Sequence, residues 1–261
     1  MRPDLRRRRR RPVVTATTVA LVLTVVLGLT GCGSGGGADG GDAAVPPAST
    51  ATSAPATTTT VDPDLTTVAT TPESTLDVFD APDAAEPSHQ VTAPEGPGVP
   101  LTFVVIGEEG DRLQVELPER PNGSTGWIDR DAVAVSVHDF HITVDLAAFT
   151  ITVFQGDEVI LDAPVGVAAD NTPTPGGTYY TTSLLQPPDP NSVYGTYAYG
   201  LSAFSEVLES FSGGPGQLGI HGTNDDASIG TEVSHGCIRM HNADIEQLVP
   251  VLPLGVPVTI V

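Results

Sequence analysis

Lysine is absent from all 261 residues, and seven of the eleven arginines are crowded into the first eleven positions. Beyond residue 31 only Arg112, Arg120, Arg130 and Arg239 stand against 31 acidic residues, a net charge of −27. A surface so poor in cations repels phosphate backbones and anionic membrane faces, which excludes nucleic acid as a partner. Cysteine is almost as scarce: of the two, only Cys237 lies beyond the N-terminal leader. The paired Cys-x-x-Cys spacing of common structural zinc sites is therefore missing. From Gly33 to about Pro72 there is no hydrophobic period at all, only Gly, Ala, Ser, Thr and Pro with scattered acids. Such a stretch buries no core and reads as a tether with a span of about 35 Å.

What is present is concentrated between Gly219 and Arg239. His221 and His235 precede Cys237 by sixteen and two residues. A solitary thiol with nearby histidines is a common way to build a nucleophile, because a thiol with an ordinary pKa of about 8.5 is mostly protonated at neutral pH and needs a base or a positive environment. His221 either takes that proton or holds it as an imidazolium beside a thiolate. The run Ser234-His235-Gly236-Cys237 offers consecutive N–H groups to a developing oxyanion. Gly222 and Gly236 let backbone approach a substrate closely. Two other readings stand beside this one: a zinc site made from His221, His235, Cys237 and His241, and an inert cysteine in a core strand.

These residues carry a resemblance. Ile220-His221-Gly222-Thr223, ten residues, then Ser234-His235-Gly236-Cys237-Ile238-Arg239-Met240 resembles the signature of the L,D-transpeptidases, the YkuD-type cysteine enzymes of the bacterial cell wall. It extends through Pro164-Val165-Gly166-Val167, Thr172-Pro173-Thr174-Pro175-Gly176-Gly177, Tyr199-Gly200-Leu201-Ser202 and Asn242-Ala243-Asp244. The resemblance implies Cys237 as nucleophile and His221 as base, oriented by the carbonyl of Gly222. It implies His235, Gly236 and Cys237 around the oxyanion, with Ser234, Gly222 and Arg239 as supporting or substrate-binding groups, Arg239 fixing the loop or meeting a substrate carboxylate. It implies no metal and no cofactor, peptidoglycan stem peptides as substrates, cross-links between third stem residues, and carbapenem-type β-lactams as inhibitors. Two alternatives stay open: an L,D-carboxypeptidase that uses water as acceptor, and a non-catalytic wall-binding lipoprotein, which would need neither His221 nor Cys237.

The expected organisation has four parts. Residues 1–31 read as a signal peptide, Arg6 to Arg11 followed by the uncharged run Pro12 to Thr30. That run is close to the lower limit for a membrane span. Leu29-Thr30-Gly31-Cys32 resembles a lipobox, so Cys32 is the expected lipidation site and the protein is expected outside the cytoplasm, anchored to the membrane and facing the wall. Residues 32–73 are the linker. Residues 74–133, with short β-rich runs between turn signals, predict a small antiparallel β-barrel with Trp127 in its core, and the run Arg120 to Trp127 resembles Src-homology-type modules that precede some L,D-transpeptidase domains. Residues 137–261 predict a mainly β, sandwich-like catalytic domain with one short helix, N-capped by Asn242 and facing the core with Ile245, Leu248 and Val249. The Pro-rich section 172–204 is too long to be a plain connector, and the resemblance implies a substrate-covering flap there.

Overall fold

The computed structural model describes residues 65–261 apart from Ser212. The leader, Cys32 and nearly all of the tether lie outside the described residues.

The first seven strands are β1 (Thr66–Thr71), β2 (Thr75–Val78), β3 (His89–Thr92), β4 (Leu101–Glu109), β5 (Arg112–Glu116), β6 (Thr125–Asp129) and β7 (Ala134–His138). Five of them form an antiparallel sheet in the order β6-β5-β4-β1-β7, and the β2–β3 hairpin meets its edge where Phe79 and Trp127 exchange backbone hydrogen bonds of 2.8 and 2.9 Å. Alternate side chains, among them Phe103, Leu113, Val115 and Ile128, fill a separate core. The boundaries expected at 73 and 133 therefore move outward. Strand β1 pairs with both β4 and β7 and buries Val68, Ala69 and Thr71. Its Thr-rich sequence reads like tether, yet threonine is β-branched and suits a strand once two neighbours supply the ladder. Trp127 is corrected as well. Gly126 and Ile128 take the inward positions of β6, so period two turns Trp127 to the other face, half-buried and outside the core.

The C-terminal domain opens with the meander β8 (Phe140–Asp145), β9 (Thr150–Gln155) and β10 (Glu158–Pro164), whose alternation the sequence anticipates. Ile142 lies opposite Val153 and Val144 opposite Ile151, all on one face. The terminal strand β17 (Pro257–Ile260) adds Val258 and Ile260 to that face by pairing parallel to β8. Each such side chain contributes up to about 1.5–3 kcal/mol. Between them run β11 (Val167–Ala168), β12 (Gly177–Leu185), β13 (Ala198–Phe204), β14 (Gln217–His221), β15 (Glu232–Ser234), β16 (Ile238–Arg239) and helix α1 (Asn242–Leu248).

Eight of these strands join in the order β10-β9-β8-β17-β12-β13-β14-β16. The sandwich arises because β12 is shared: residues Gly177–Tyr180 pair with β17, and Thr181–Leu185 pair with β13. A strand that changes partner midway turns the corner between two lobes. Ile142 and Val153 from one lobe and Leu201, Ile220, Ile238 and Met240 from the other accordingly share one core, which Ile245 and Leu248 of α1 complete. Val249 is only partly buried. The flap expected over 172–204 is thus corrected: two of its segments are interior strands. The rest is loop: 172–176, leading into β12, and 186–197, between β12 and β13.

The two domains touch through buried groups. The Tyr180 hydroxyl donates to the Glu116 carbonyl at 2.9 Å, and a Cβ at Gly255 would lie 2.5 Å from a Val68 methyl. Arg120 donates to three carbonyls, of Ser205, Leu208 and Pro215, at 2.7 to 3.1 Å, while the Asn122 side chain pairs with both backbone groups of Phe204 at 2.8 and 2.9 Å. The turn Arg120-Pro121-Asn122-Gly123 is therefore a latch on residues 204–216.

Candidate active site

Strand pairing brings the two reactive side chains together. β14 ends at His221, and β16 runs parallel to it with Ile220 opposite Ile238 and His221 opposite Arg239. Ile220 and Ile238 are fully buried, so Cys237, one residue before β16, is delivered to the rim of the same cavity as His221. That cavity measures about 550 Å³. Gln186, Pro187 and Tyr194 from the 186–197 loop and Phe211 and Pro215 from the latched loop also line it.

His221 is buried, and its Nδ1 lies 2.6 Å from the Gly222 carbonyl oxygen. A carbonyl only accepts, so Nδ1 carries the proton and Nε2 keeps a lone pair. The Tyr194 ring meets the imidazole edge-on at 5.1 Å. Burial pushes the His221 pKa down to about 4, opposed by the Gly222 hydrogen bond and assisted by the Arg239 charge. Burial raises the Cys237 pKa, while backbone hydrogen bonding at Gly219 and the Arg239 charge pull the other way. Both directions favour uncharged groups. Of the two protonation states open from sequence, they favour a neutral imidazole beside a neutral thiol over an imidazolium–thiolate pair.

The loop before the thiol is tied down by hydroxyls. Thr172 donates to the Ser234 carbonyl at 3.3 Å, Thr174 to the Gly236 carbonyl at 2.9 Å, and Ser234 to the Cys237 carbonyl at 2.6 Å. In a trans peptide the N–H points opposite to the preceding carbonyl, so these bonds turn the amides of His235 and Cys237 away from the threonines. The amide of Gly236, expected among the oxyanion donors, instead donates to Ser234 Oγ at 3.2 Å. What residue 236 provides is conformation. Its φ is +119°, and a Cβ there would lie 2.6 Å from Leu218.

The remaining residues named from sequence are placed as follows. Ser234 is buried. Gly222 is buried too, against Asn242, and its carbonyl rather than its amide faces the imidazole. Arg239 is partly buried, lies outside the cavity lining, and exchanges backbone hydrogen bonds with Gly166 at 2.8 and 2.9 Å, so it acts on the site through its charge. His235 is exposed and stacks on Phe211, ring centroids 5.1 Å apart. His241 pairs with Asp226 at 2.9 Å. The four donors of the zinc alternative therefore face different neighbours, and among the described residues no three His, Cys, Asp or Glu groups could share an ion.

Sequence reasoning missed two features. Asn242 does not cap α1, whose N-cap is His241; its Oδ1 accepts from the amides of Thr196 and Thr223 at 3.2 and 3.1 Å, pinning the 186–197 loop to the stretch after His221. Gly195 and Gly222 leave room for that carboxamide, since a Cβ at either would lie 2.1 Å from it. The second feature is Glu95, which reaches the cavity from the small domain. No local motif marks either role.

A buried, carbonyl-held imidazole sharing a cavity with a single thiol, on a curled two-lobed β-sheet, defines a mainly β cysteine–histidine domain. Residues 139–260 match the YkuD family, the L,D-transpeptidase catalytic domain. The C-terminal domain is the part of the chain that matches. It is similar to the YkuD protein of Bacillus subtilis strain 168, 37% identical over 121 residues that cover 46% of this chain and 65% of the relative. The YkuD protein of Bacillus licheniformis is 34% identical with the same coverage of both chains. The chain thus spans 65% of the length of these two relatives. Among solved structures, L,D-transpeptidase 3 from Mycobacterium tuberculosis, in complex with a faropenem-derived adduct, aligns at 16% identity and TM-score 0.39, over 60% of this chain and 96% of the other.

Proposed function

We propose that this chain is a peptidoglycan L,D-transpeptidase working through a cysteine acyl-enzyme. The observation that carries the reading is the His221 imidazole, neutral and held by Gly222 at 2.6 Å, in one cavity with Cys237. His221 Nε2 takes the thiol proton as sulfur attacks the carbonyl of the third stem residue. Negative charge builds on the carbonyl oxygen, and the amides of His235 and Cys237, which point away from the threonines, are its proposed donors. As the tetrahedral species collapses, the C–N bond to the terminal D-alanine breaks and its nitrogen receives the proton from His221. An amine of a second stem then attacks the thioester, sulfur leaves as the thiol, and an amide joins the two stems. Because both groups rest uncharged, deprotonation accompanies attack rather than preceding it.

The test is incubation with a purified disaccharide tetrapeptide, followed by mass spectrometry of enzyme and products. The expected result is a covalent adduct on Cys237, absent from Cys237→Ala, and a cross-linked dimer. Trimmed monomer without dimer makes the protein a carboxypeptidase instead. A β-lactam ring carbonyl presents the same electrophile, so carbapenems belong to this proposal as inhibitors that acylate Cys237. The basic and apolar leader ending at Cys32 supports a lipid-anchored enzyme outside the cytoplasm, facing the wall. Fatty-acid labelling lost in Cys32→Ala is the expected outcome, and equal labelling of both proteins refutes it.

A further inference from the structure

Glu95 stands at the cavity holding Cys237 and His221, and it is the one acidic residue in the lining. Three donors converge on its Oε1: Thr182 Oγ1 at 2.7 Å, Ser183 Oγ at 2.5 Å and Gln217 Nε2 at 2.9 Å. Adjacent strand residues normally face opposite sides of a sheet. A register shift between Thr181 and Ser183 brings both hydroxyls to the same carboxylate. Gly200 completes the cradle, since a Cβ there would lie 2.3 Å from Oε1. None of these donors reaches Oε2. Among the described residues no arginine or histidine lies within ion-pair distance of Glu95, and the chain has no lysine. A carboxylate fixed by neutral donors, with one oxygen free and no counter-ion, is set to receive a cation.

We infer that Glu95, contributed by the small domain, makes one end of the cavity an ammonium-binding subsite that selects substrates carrying a free amine. Its position suits the chemistry at the other end. Gly200 lies opposite Gly219 on the neighbouring strand, and the Cys237 thiol sits against Gly219. One strand spacing separates Gly200 from Gly219, so the carboxylate over the first and the thiol against the second lie no more than about 10 Å apart across a floor without side chains. That distance is about three residues of extended chain or one long side chain plus its contacts. A carbonyl at Cys237 and an ammonium at Glu95 can therefore belong to one molecule. The inference extends the transpeptidase reading by assigning its substrate a cationic group, while the subsite itself is testable without that reading.

The experiment compares modification of Cys237 by methanethiosulfonate reagents that differ only in charge, a trimethylammonium ethyl form and a sulfonate ethyl form, read at the Cys237 peptide by mass spectrometry. The cation-to-anion rate ratio is expected to fall on the order of tenfold in Glu95→Gln, which keeps an oxygen acceptor and loses the charge. Glu95→Asp keeps the charge and is expected to stay near wild type. Iodoacetamide, which is neutral, is expected to react within twofold of wild type in both variants, reporting an undisturbed thiol. An unchanged ratio in Glu95→Gln, or an equal fall in Glu95→Asp, overturns the inference. A second arm compares donor stem peptides with free and acetylated side-chain amines. Wild type is expected to show a lower KM for the free amine and Glu95→Gln to show no preference. If neither peptide is turned over, the transpeptidase reading fails, and the reagent ratio still decides the subsite.

Discussion

The two ends of the cavity are built on opposite principles. At the thiol end, burial keeps both reactive groups neutral, and the arginine that influences them stays outside the lining. At the Glu95 end, a charged group is held in place by three neutral donors drawn from two strands. A neutral base needs only one well-placed acceptor to fix its tautomer, whereas a carboxylate in a cavity needs several donors to offset lost water. The domain division follows the same line. The C-terminal domain supplies the reacting groups, and the small domain supplies charge, through Glu95 and through Arg120 on the latched loop.

The sharpest way to break the thiol end is to remove its members. Cys237→Ala is expected to abolish adduct formation, and His221→Ala to slow turnover by about 10²–10⁴-fold with the fold intact, measured by product formation and circular dichroism. Equal activity in His221→Ala would place the base elsewhere.

Next in size is a pH effect on stability. The folded pKa of His221 lies near 4, below the unfolded value of about 6.5, so the unfolded chain binds the extra proton between them. The contribution is fully present above pH 6.5 and falls as pH drops toward 4, by about 3 kcal/mol at most. Urea titrations at pH 7 and pH 4.5 are expected to show this loss, smaller in His221→Gln. A slope unchanged by that substitution would mean the imidazole is not the group responsible.

Thr174→Val keeps the shape and deletes the hydroxyl that holds the Gly236 carbonyl. With the Cys237 amide no longer aimed, turnover is expected to fall about 10²-fold while iodoacetamide still alkylates Cys237. Loss of alkylation as well would instead mean that the whole loop has collapsed.

The smallest effect belongs to the latch. Arg120→Ala removes three bonds to backbone carbonyls and the guanidinium's packing over Phe204, centroid distance 5.1 Å. The expected cost is about 1–3 kcal/mol of stability, with increased protease cleavage within 205–216. Unaltered cleavage would mean that the loop holds its shape unaided.

Much of this was legible in residue order. The alternation in Ile142 to Leu146 and Thr150 to Phe154 announced paired strands, because a half-buried sheet forces period two. Trp127 misled for the same reason: Ile128 beside it took the inward position, and alternation left no room for both. The section 172–204 read as a flap because its prolines cluster in the connections, while Tyr180 and Leu201, buried strand residues, are too few to set a visible period.

The residues in their order were enough to single out Cys237 and His221 as candidates, since a lone thiol and a histidine among glycines carry their chemistry in their own side chains. The protonation of that pair, the aim of the His235 and Cys237 amides, and the arrival of Glu95 at the cavity came only from the packed structure. Each depends on groups far apart in the chain, Thr174 on Gly236 and Glu95 on Thr182, Ser183 and Gln217. Burial and hydrogen-bond direction are properties of neighbours in space, and only the closed sheet makes those residues neighbours.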